Sequence, residues 1–121
     1  MKQGIVLLAH GSRDPQWSQP FERLAAHLST RLPAAAIALS YLEHGPPLAR
    51  AIAEVAAQGA AAIRVVPVFL GQGGHVKADL PRLVAAAQME FPRLQIRLEP
   101  AVGEQARVIE AMARAIAGEE E

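Results

Sequence analysis

The chain has 121 residues, of which 51% are hydrophobic, and its 12 basic side chains balance 12 acidic ones. This length predicts one domain over residues 1–121, with residues 119–121 as a frayed tail. Zero net charge argues against nucleic acid as a partner, and no apolar run is long enough to span a membrane. Without cysteine or a signal-peptide pattern, we expect a cytoplasmic protein with no disulfide and no thiolate metal site.

Strand and helix signals alternate along the chain. Apolar runs predict strands at residues 3–9, 35–42, 61–68 and 94–99. Helical spacing of apolar residues predicts helices at 16–31, from Pro46-Pro47 to Gly59, from a cap at Asp79 through Pro81 to about Phe91, and at 104–117. In the last helix we expect Val108, Ile109, Met112 and Ile116 to face inward. Four βα units predict an α/β fold with a parallel sheet and helices on both faces.

Two histidines follow the first and third predicted strands. His10 ends the run Ile5-Val6-Leu7-Leu8-Ala9, and His75 follows the glycine-rich segment after Val65-Val66-Pro67-Val68. Ligands of open α/β sheets bind outside the carboxyl ends of the strands. Imidazole is a common ligand of transition metals, so we expect His10 and His75 to converge on one site. Two surface histidines at equivalent strand ends are the alternative.

Glu43 ends the second predicted strand and is directly followed by His44. Its carboxylate fits the same edge of the sheet, where it can bind a metal or accept a proton. A carboxylate that only stabilises the start of the next helix is the alternative. His44, like His27 in the first helix, is expected to be a surface residue.

Several residues beside these positions fit anion binding. Gly71, Gly73 and Gly74 permit close approach of the backbone and precede a helix, although they form neither a Walker nor a dinucleotide motif. The neighbouring Ser12, Arg13, Lys77 and Arg82 can bind carboxylates. A flexible connector and solvated surface charge are the alternatives.

Three segments together resemble the class II tetrapyrrole chelatases, most closely the short form of the sirohydrochlorin cobaltochelatase/ferrochelatase family. They are His10-Gly11-Ser12-Arg13-Asp14-Pro15, then Tyr41-Leu42-Glu43, then Val66-Pro67-Val68-Phe69-Leu70 with Gly73, His75, Asp79 and Pro81. Their order and spacing agree over residues 3–117. The first and third segments are specific as a pair.

The resemblance implies insertion of Co²⁺ or Fe²⁺ into sirohydrochlorin, in cobalamin or sirohaem biosynthesis, with Ni²⁺ as a further metal in vitro and no organic cofactor. It implies a doubly wound domain with a four-stranded parallel sheet of order 2-1-3-4. It also implies His10, His75 and Glu43 as metal-binding and catalytic residues. The residue after this acid is usually apolar in the family, so His44 leaves open which of Glu43 and His44 faces the cleft.

The resemblance further implies that the short forms are homodimers. We expect the strand-end loops of two copies to face each other, with Trp17, Phe69 and Leu70 in the cleft wall or at the contact. Packing in the core is the alternative for Phe69. The substrate carboxylates are expected to meet Ser12, Arg13, Gly73, Gly74, Lys77 and Arg82.

Two other functions compete with metal insertion. A non-catalytic carrier of metal or tetrapyrrole needs nearly the same residues. A histidine phosphatase is disfavoured because Ala9 stands before His10, where such enzymes have an arginine.

Overall fold

A computed structural model describes residues 2–119, so Glu120 and Glu121 of the expected tail lie outside the described residues. The strands are β1 (Gln3–Ala9), β2 (Ala36–Tyr41), β3 (Ala62–Pro67) and β4 (Gln95–Leu98). The helices are α1 (Gln19–Arg31), α2 (Leu48–Ala57), α3 (Gly74–Glu90) and α4 (Ala106–Ala117). Short 3-10 turns, Pro15–Ser18 and Val102–Glu104, precede α1 and α4. None of the helices within residues 2–119 has the length and apolarity to cross a bilayer.

The four strands form one parallel sheet in the order β2-β1-β3-β4, which confirms the predicted topology. Ala9 pairs with Tyr41 of β2, and Leu8 pairs with Pro67 of β3. The carboxyl ends of β1, β2 and β3 therefore lie side by side. His10 follows the middle strand of these three.

The strand β1 places alternate side chains in two apolar clusters, one on each face of the sheet. Val6 and Leu8 pack with α2 and α3, while Ile5 and Leu7 pack with α1. Burial of β1 on both faces explains why its sequence is a continuous apolar run rather than an alternating one. The prediction of helices on both faces is confirmed.

On the face that α1 covers, β3 and β4 carry charged side chains. Arg64 lies in register with Ile5 and with Arg97, so all three side chains are on this face. Glu99 accepts hydrogen bonds from the Nε atoms of Arg64 and Arg97, at 3.1 and 2.9 Å. This half of the face is therefore polar.

The start of the third helix was predicted wrongly. It begins at Gly74 rather than with a cap at Asp79, and it includes Pro81 in its interior. A proline there removes one backbone hydrogen bond and costs about 3 kcal/mol. Val76, Leu80 and Val84 recur four residues apart and pack against the core, and this burial offsets the cost.

Three further boundaries and one orientation differ from the prediction. The segment before α1 is a 3-10 turn, Pro47 precedes α2 as its N-cap, and α4 begins at Ala106. The expected inward face of α4 is wrong for Ile109 and Ile116, which are 50% and 84% exposed, whereas Val108 and Met112 are half-buried.

Candidate functional site

His10 and Glu43 form the closest pair of metal-binding groups at the carboxyl edge of the sheet. His10 Nε2 lies 3.4 Å from Glu43 Oε1, and about half of each side chain is exposed. This distance is longer than that of a charge-assisted hydrogen bond. Both groups are therefore close together, open to solvent and free to bind a third species.

Backbone pairing beyond the ends of β1 and β2 positions the two side chains. The amide of Leu42 donates to the Ala9 carbonyl at 3.0 Å, and the amide of Glu43 donates to the His10 carbonyl at 3.1 Å. The strands thus remain side by side for two residues past the regular sheet, which brings Glu43 beside His10.

Gly11 makes this approach possible. Its φ angle is +101°, which L-residues with a side chain rarely adopt, and it is buried. A Cβ atom at this position would overlap the carbonyl oxygen of Glu43. The glycine after His10 therefore fixes the position of Glu43.

His44 is turned away from this pair by the loop that contains it. Its φ angle is +58°, and the amide of Tyr41 and the hydroxyl of buried Ser40 both donate to the Pro46 carbonyl, at 2.9 and 3.2 Å. The folded-back loop directs Glu43 to His10 while His44 lines a different cavity with Trp17 and Tyr41. Of these two neighbours, the acid is the one that contacts His10.

A groove of about 440 Å³ lies beside His10, between the end of β2 and the α3 helix. Its walls are mainly apolar, and the apolar lining residues are Leu42, Val76, Leu80, Leu83 and Ala86. Asp79 and Arg82 also line it and form an exposed ion pair at 3.6 Å. The apolar side of α3, whose early start the sequence did not predict, forms one wall of this groove.

A second cavity, of about 420 Å³, lies on the other side of the loop. Ser12, Arg13, Trp17, Tyr41 and His44 are among its lining residues, and the Trp17 and Tyr41 ring centres are 6.1 Å apart. Burial raises the pKa of the Tyr41 phenol, and the nearby Glu22 carboxylate raises it further, against the opposing effect of a hydrogen bond with Ser18. Sequence reasoning missed this cavity, although two aromatic residues close to predicted strand ends were a usable signal.

Ser12 and Asp14 shape the loop that follows His10. The Ser12 hydroxyl accepts a hydrogen bond from the Asp14 amide at 3.1 Å, and the Asp14 carboxylate accepts one from the Gln16 amide at 2.9 Å. These contacts give both residues a structural role, while Arg13 remains exposed.

A larger cavity, of about 660 Å³, lies away from these residues. Gln3, Ala62 and Gln95, the first residues of β1, β3 and β4, are part of its lining. Ligands of this class of sheet bind at the opposite ends of the strands. We therefore assign the site to the edge with His10.

His75 lies in the first turn of α3 and is exposed, as are Gly73, Gly74 and Lys77. Its neighbour Val76 lines the groove beside His10. Within residues 2–119, however, no three His, Asp or Glu side chains form a group able to hold a metal ion. The convergence of His75 with His10 therefore stays a prediction.

Comparison with known proteins extends these observations over nearly the whole chain. The CbiX family model matches residues 4–119. The chain belongs to the CbiX family. A curated relative, the sirohydrochlorin cobaltochelatase of Saccharolobus islandicus, is 35% identical over 82 residues, which are 67% of this chain and 62% of that protein. The match thus spans less than two thirds of the relative's length.

Two solved structures share the CbiX fold described above. A CbiX protein from Marinobacter aquaeolei VT8 is 31% identical, with a TM-score of 0.84 and coverage of 96% of this chain and 95% of that one. The sirohydrochlorin chelatase SirB from Bacillus subtilis subspecies spizizenii, in complex with cobalt, is 28% identical, with a TM-score of 0.81. The alignment with SirB covers 98% of this chain but 51% of the longer one.

Proposed function

We propose that this chain is a metal chelatase that inserts a divalent ion, Co²⁺ or Fe²⁺, into sirohydrochlorin. The observation that carries the proposal is the His10–Glu43 pair, exposed at the carboxyl edge beside an apolar groove. The names of two similar proteins, a sirohydrochlorin cobaltochelatase and a sirohydrochlorin chelatase solved with cobalt, support sirohydrochlorin and cobalt as substrates.

The spacing of the pair suits two adjacent ligands of one metal ion. Bonds of about 2.0–2.2 Å to nitrogen and oxygen, meeting at a tetrahedral angle, separate the ligand atoms by about 3.4 Å. His10 Nε2 and Glu43 Oε1 are 3.4 Å apart. Two protein ligands leave the other half of a tetrahedral coordination sphere to water and to the pyrrole nitrogens, so the ion can be transferred rather than retained.

Insertion also releases two pyrrole protons, and Glu43 is placed to take part in their removal. A carboxylate beside the ligand atom of His10 can bind the ion first and accept a proton once the ion has moved to the macrocycle. The apolar wall of the groove, formed by Leu42 and α3, offers a surface for the macrocycle and excludes water on one side.

We propose that the remaining site residues bind the metal ion or the substrate. His75 follows the β3 strand and lies next to the groove-lining Val76, so His75→Ala is expected to lose insertion while the fold persists. The substrate carboxylates would be bound by Ser12, Arg13, Gly73, Gly74, Lys77 and Arg82.

Assembly and location are part of the same proposal. One lobe covers one side of a broad macrocycle, so a homodimer would enclose it better through a twofold interface. A cytoplasmic location stays a prediction, as does the choice between cobalamin and sirohaem biosynthesis.

The proposal is tested by following the absorbance spectrum of sirohydrochlorin with Co²⁺ in the presence of a small amount of protein. A chelatase converts a large molar excess of the macrocycle at a rate proportional to protein concentration. A carrier changes the spectrum only up to stoichiometric binding. A spectrum that stops changing at one equivalent would refute catalysis.

The physiological metal is a separate question for the same assay. Imidazole and carboxylate are ligands of Co²⁺, of Fe²⁺ and of Ni²⁺. The order of their intrinsic affinities does not show which of these ions the protein uses in the cell. We therefore propose comparing initial rates with the three ions under anaerobic conditions, where Fe²⁺ stays reduced.

A further inference from the structure

An acidic side chain interrupts the apolar row of α3 that lines the groove beside His10. One side of the helix carries residues at intervals of three and four, namely Val76, Asp79, Leu83 and Ala86. All four line the groove, and the other three are apolar. A charge in an apolar row departs from the pattern of an amphipathic helix, and such departures are expected at functional positions. The pattern therefore points to a function of Asp79 in the groove.

The fold does not explain an acid at this position. Asp79 lies in the second turn of α3, so it does not cap the helix, and its side chain is 55% exposed. Its ion pair with Arg82 joins two residues of the same helix, and exposed pairs of this kind add little to stability. The carboxylate is thus available to a molecule that enters the groove.

The contact with Arg82 is loose enough to leave Asp79 able to accept a proton. Arg82 Nη1 and Asp79 Oδ1 are 3.6 Å apart, whereas a charge-assisted hydrogen bond measures about 2.7–2.9 Å. Arg82 is also one of the residues that we propose as ligands of the substrate carboxylates. A substrate carboxylate bound there would compete for the guanidinium and make Asp79 a stronger proton acceptor.

Asp79 and the His10–Glu43 pair reach the edge of the sheet from different elements. His10 and Glu43 follow β1 and β2 and lie 3.4 Å apart, while Asp79 extends from α3. His10 and Asp79 both line the groove. A macrocycle on the apolar wall of Leu42 and α3 would therefore have a second carboxylate beside it, in addition to that of Glu43.

The proposed reaction requires such a second acceptor. Two N–H bonds of the macrocycle break, their electron pairs remain on the nitrogens and bind the ion, and two protons leave. While Glu43 is a ligand of the ion it must stay deprotonated, so it cannot accept the first of these protons. A carboxylate outside the coordination sphere can accept it.

We infer that Asp79 is a catalytic residue that accepts the first pyrrole proton, and that Glu43 accepts the second after it has released the ion. This role deepens the proposed chelatase function, on which it rests. Asp79 passes its proton to water, which reaches the exposed side chain, and is ready for the next turnover. The ion and the first proton thus use different carboxylates.

The first test compares Asp79→Asn with Glu90→Gln in the insertion assay with sirohydrochlorin and Co²⁺. Asp79→Asn retains the shape of the side chain but removes the proton acceptor. It should lower kcat by about 10²-fold, at the low end for a general base because water is a weaker substitute, with an unchanged KM for Co²⁺. The matched control Glu90→Gln removes the charge of another exposed acid of α3, beyond the groove, and should match the unsubstituted chain.

Two results of this comparison would overturn the role of Asp79. One is a kcat of Asp79→Asn equal to that of Glu90→Gln. The other is a raised KM for Co²⁺ with kcat retained, which would make Asp79 a ligand of the ion instead of a proton acceptor.

The second test supplies the missing acceptor from solution. Asp79→Ala leaves space for a small carboxylate, so added formate should raise its kcat in proportion to the formate concentration. Sodium chloride at the same ionic strength should not, and formate should not accelerate Glu90→Ala. A misfolded or distorted site would gain nothing from formate, so a rate of Asp79→Ala that formate leaves unchanged contradicts the inference.

The unsubstituted chain separates this inference from the proposed function. If it does not turn over an excess of sirohydrochlorin, the chelatase function is refuted, and the role of Asp79 with it. If it turns over the excess and Asp79→Asn does so equally fast, the chelatase function stands and the role of Asp79 alone is refuted.

Discussion

At the scale of single residues, the site depends on how closely the segment after β2 approaches the segment after β1. Two backbone hydrogen bonds continue the pairing to Glu43, and Gly11 provides the space for its carbonyl. The side chains of His10 and Glu43 lie close together because a hydrogen bond already holds their backbones side by side. The contact is thus set by the fold rather than by the attraction of the two groups.

Gly11→Ala should therefore displace Glu43 from His10, in addition to straining the backbone at residue 11. Gly59 offers a matched control, because its φ of +103° resembles the +101° of Gly11 but its Cβ would meet only Lys2, at 3.8 Å. Gly59→Ala is expected to cost about 1–2 kcal/mol of stability, from the left-handed conformation alone. Gly11→Ala should cost more in urea denaturation and lower the insertion rate at least about tenfold, since small displacements of reacting groups are costly. Equal effects of the two substitutions on stability would contradict the role given to Gly11.

Glu43→Gln and His44→Ala test which neighbour acts with His10. Glu43→Gln retains the shape of the side chain but removes its charge, and it should slow insertion by about 10–100-fold. His44→Ala should slow insertion much less than Glu43→Gln does, because His44 lines the other cavity and it is Glu43 that lies beside His10. Initial rates at saturating metal provide the comparison. A loss confined to His44→Ala would show that the wrong residue is assigned to the site.

The sequence predicted His10 and Glu43 at one edge because both follow apolar strands, and the structure brings them together. It left the choice between Glu43 and His44 open, because adjacent residues in a loop point in directions that only the loop conformation decides. The positive φ of His44 supplies that conformation and has no signature in the sequence, since such angles are rare outside glycine.

At the scale of elements, the four strands and four helices were predictable, and the residues at which the helices begin were not. The prediction placed the start of α3 at Asp79 because Pro81 is usually a first-turn residue. Packing of Val76 and Leu80 against the core extends the helix to Gly74. This extension matters for function, because Val76 and Asp79 line the groove beside His10.

Pro81→Ala should make the protein more stable. The substitution restores the amide that can donate to the Lys77 carbonyl within α3, and it removes the steric conflict of the proline ring. We expect a gain of about 1–3 kcal/mol in the free energy of unfolding, measured in urea. Pro20→Ala is the matched control, because Pro20 lies in the first turn of α1, where a proline fits. A destabilised Pro81→Ala protein would indicate that the proline is needed in the local geometry of α3.

At the scale of the whole molecule, one edge of the sheet brings together the His10–Glu43 pair and an apolar groove. Topology places β1 between β2 and β3, so residues distant in sequence, such as His10 and Asp79, come to line one groove. The helix α4 begins near this edge, and Ile109 and Ile116 on its apolar side are exposed. The pattern of α4 predicted an amphipathic helix correctly, but a sequence pattern cannot tell whether its partner lies within the same chain.

The central claim is that His10 binds the ion that is inserted into sirohydrochlorin, and the most direct measurement compares His10→Ala with His27→Ala. His27 is an exposed histidine of α1, away from the carboxyl edge, and serves as the control. With Co²⁺ and excess sirohydrochlorin, His27→Ala should match the unsubstituted chain. His10→Ala should insert metal about 10²–10⁴-fold more slowly, with its circular dichroism spectrum unchanged. Insertion by folded His10→Ala at the rate of the His27→Ala protein would contradict the account.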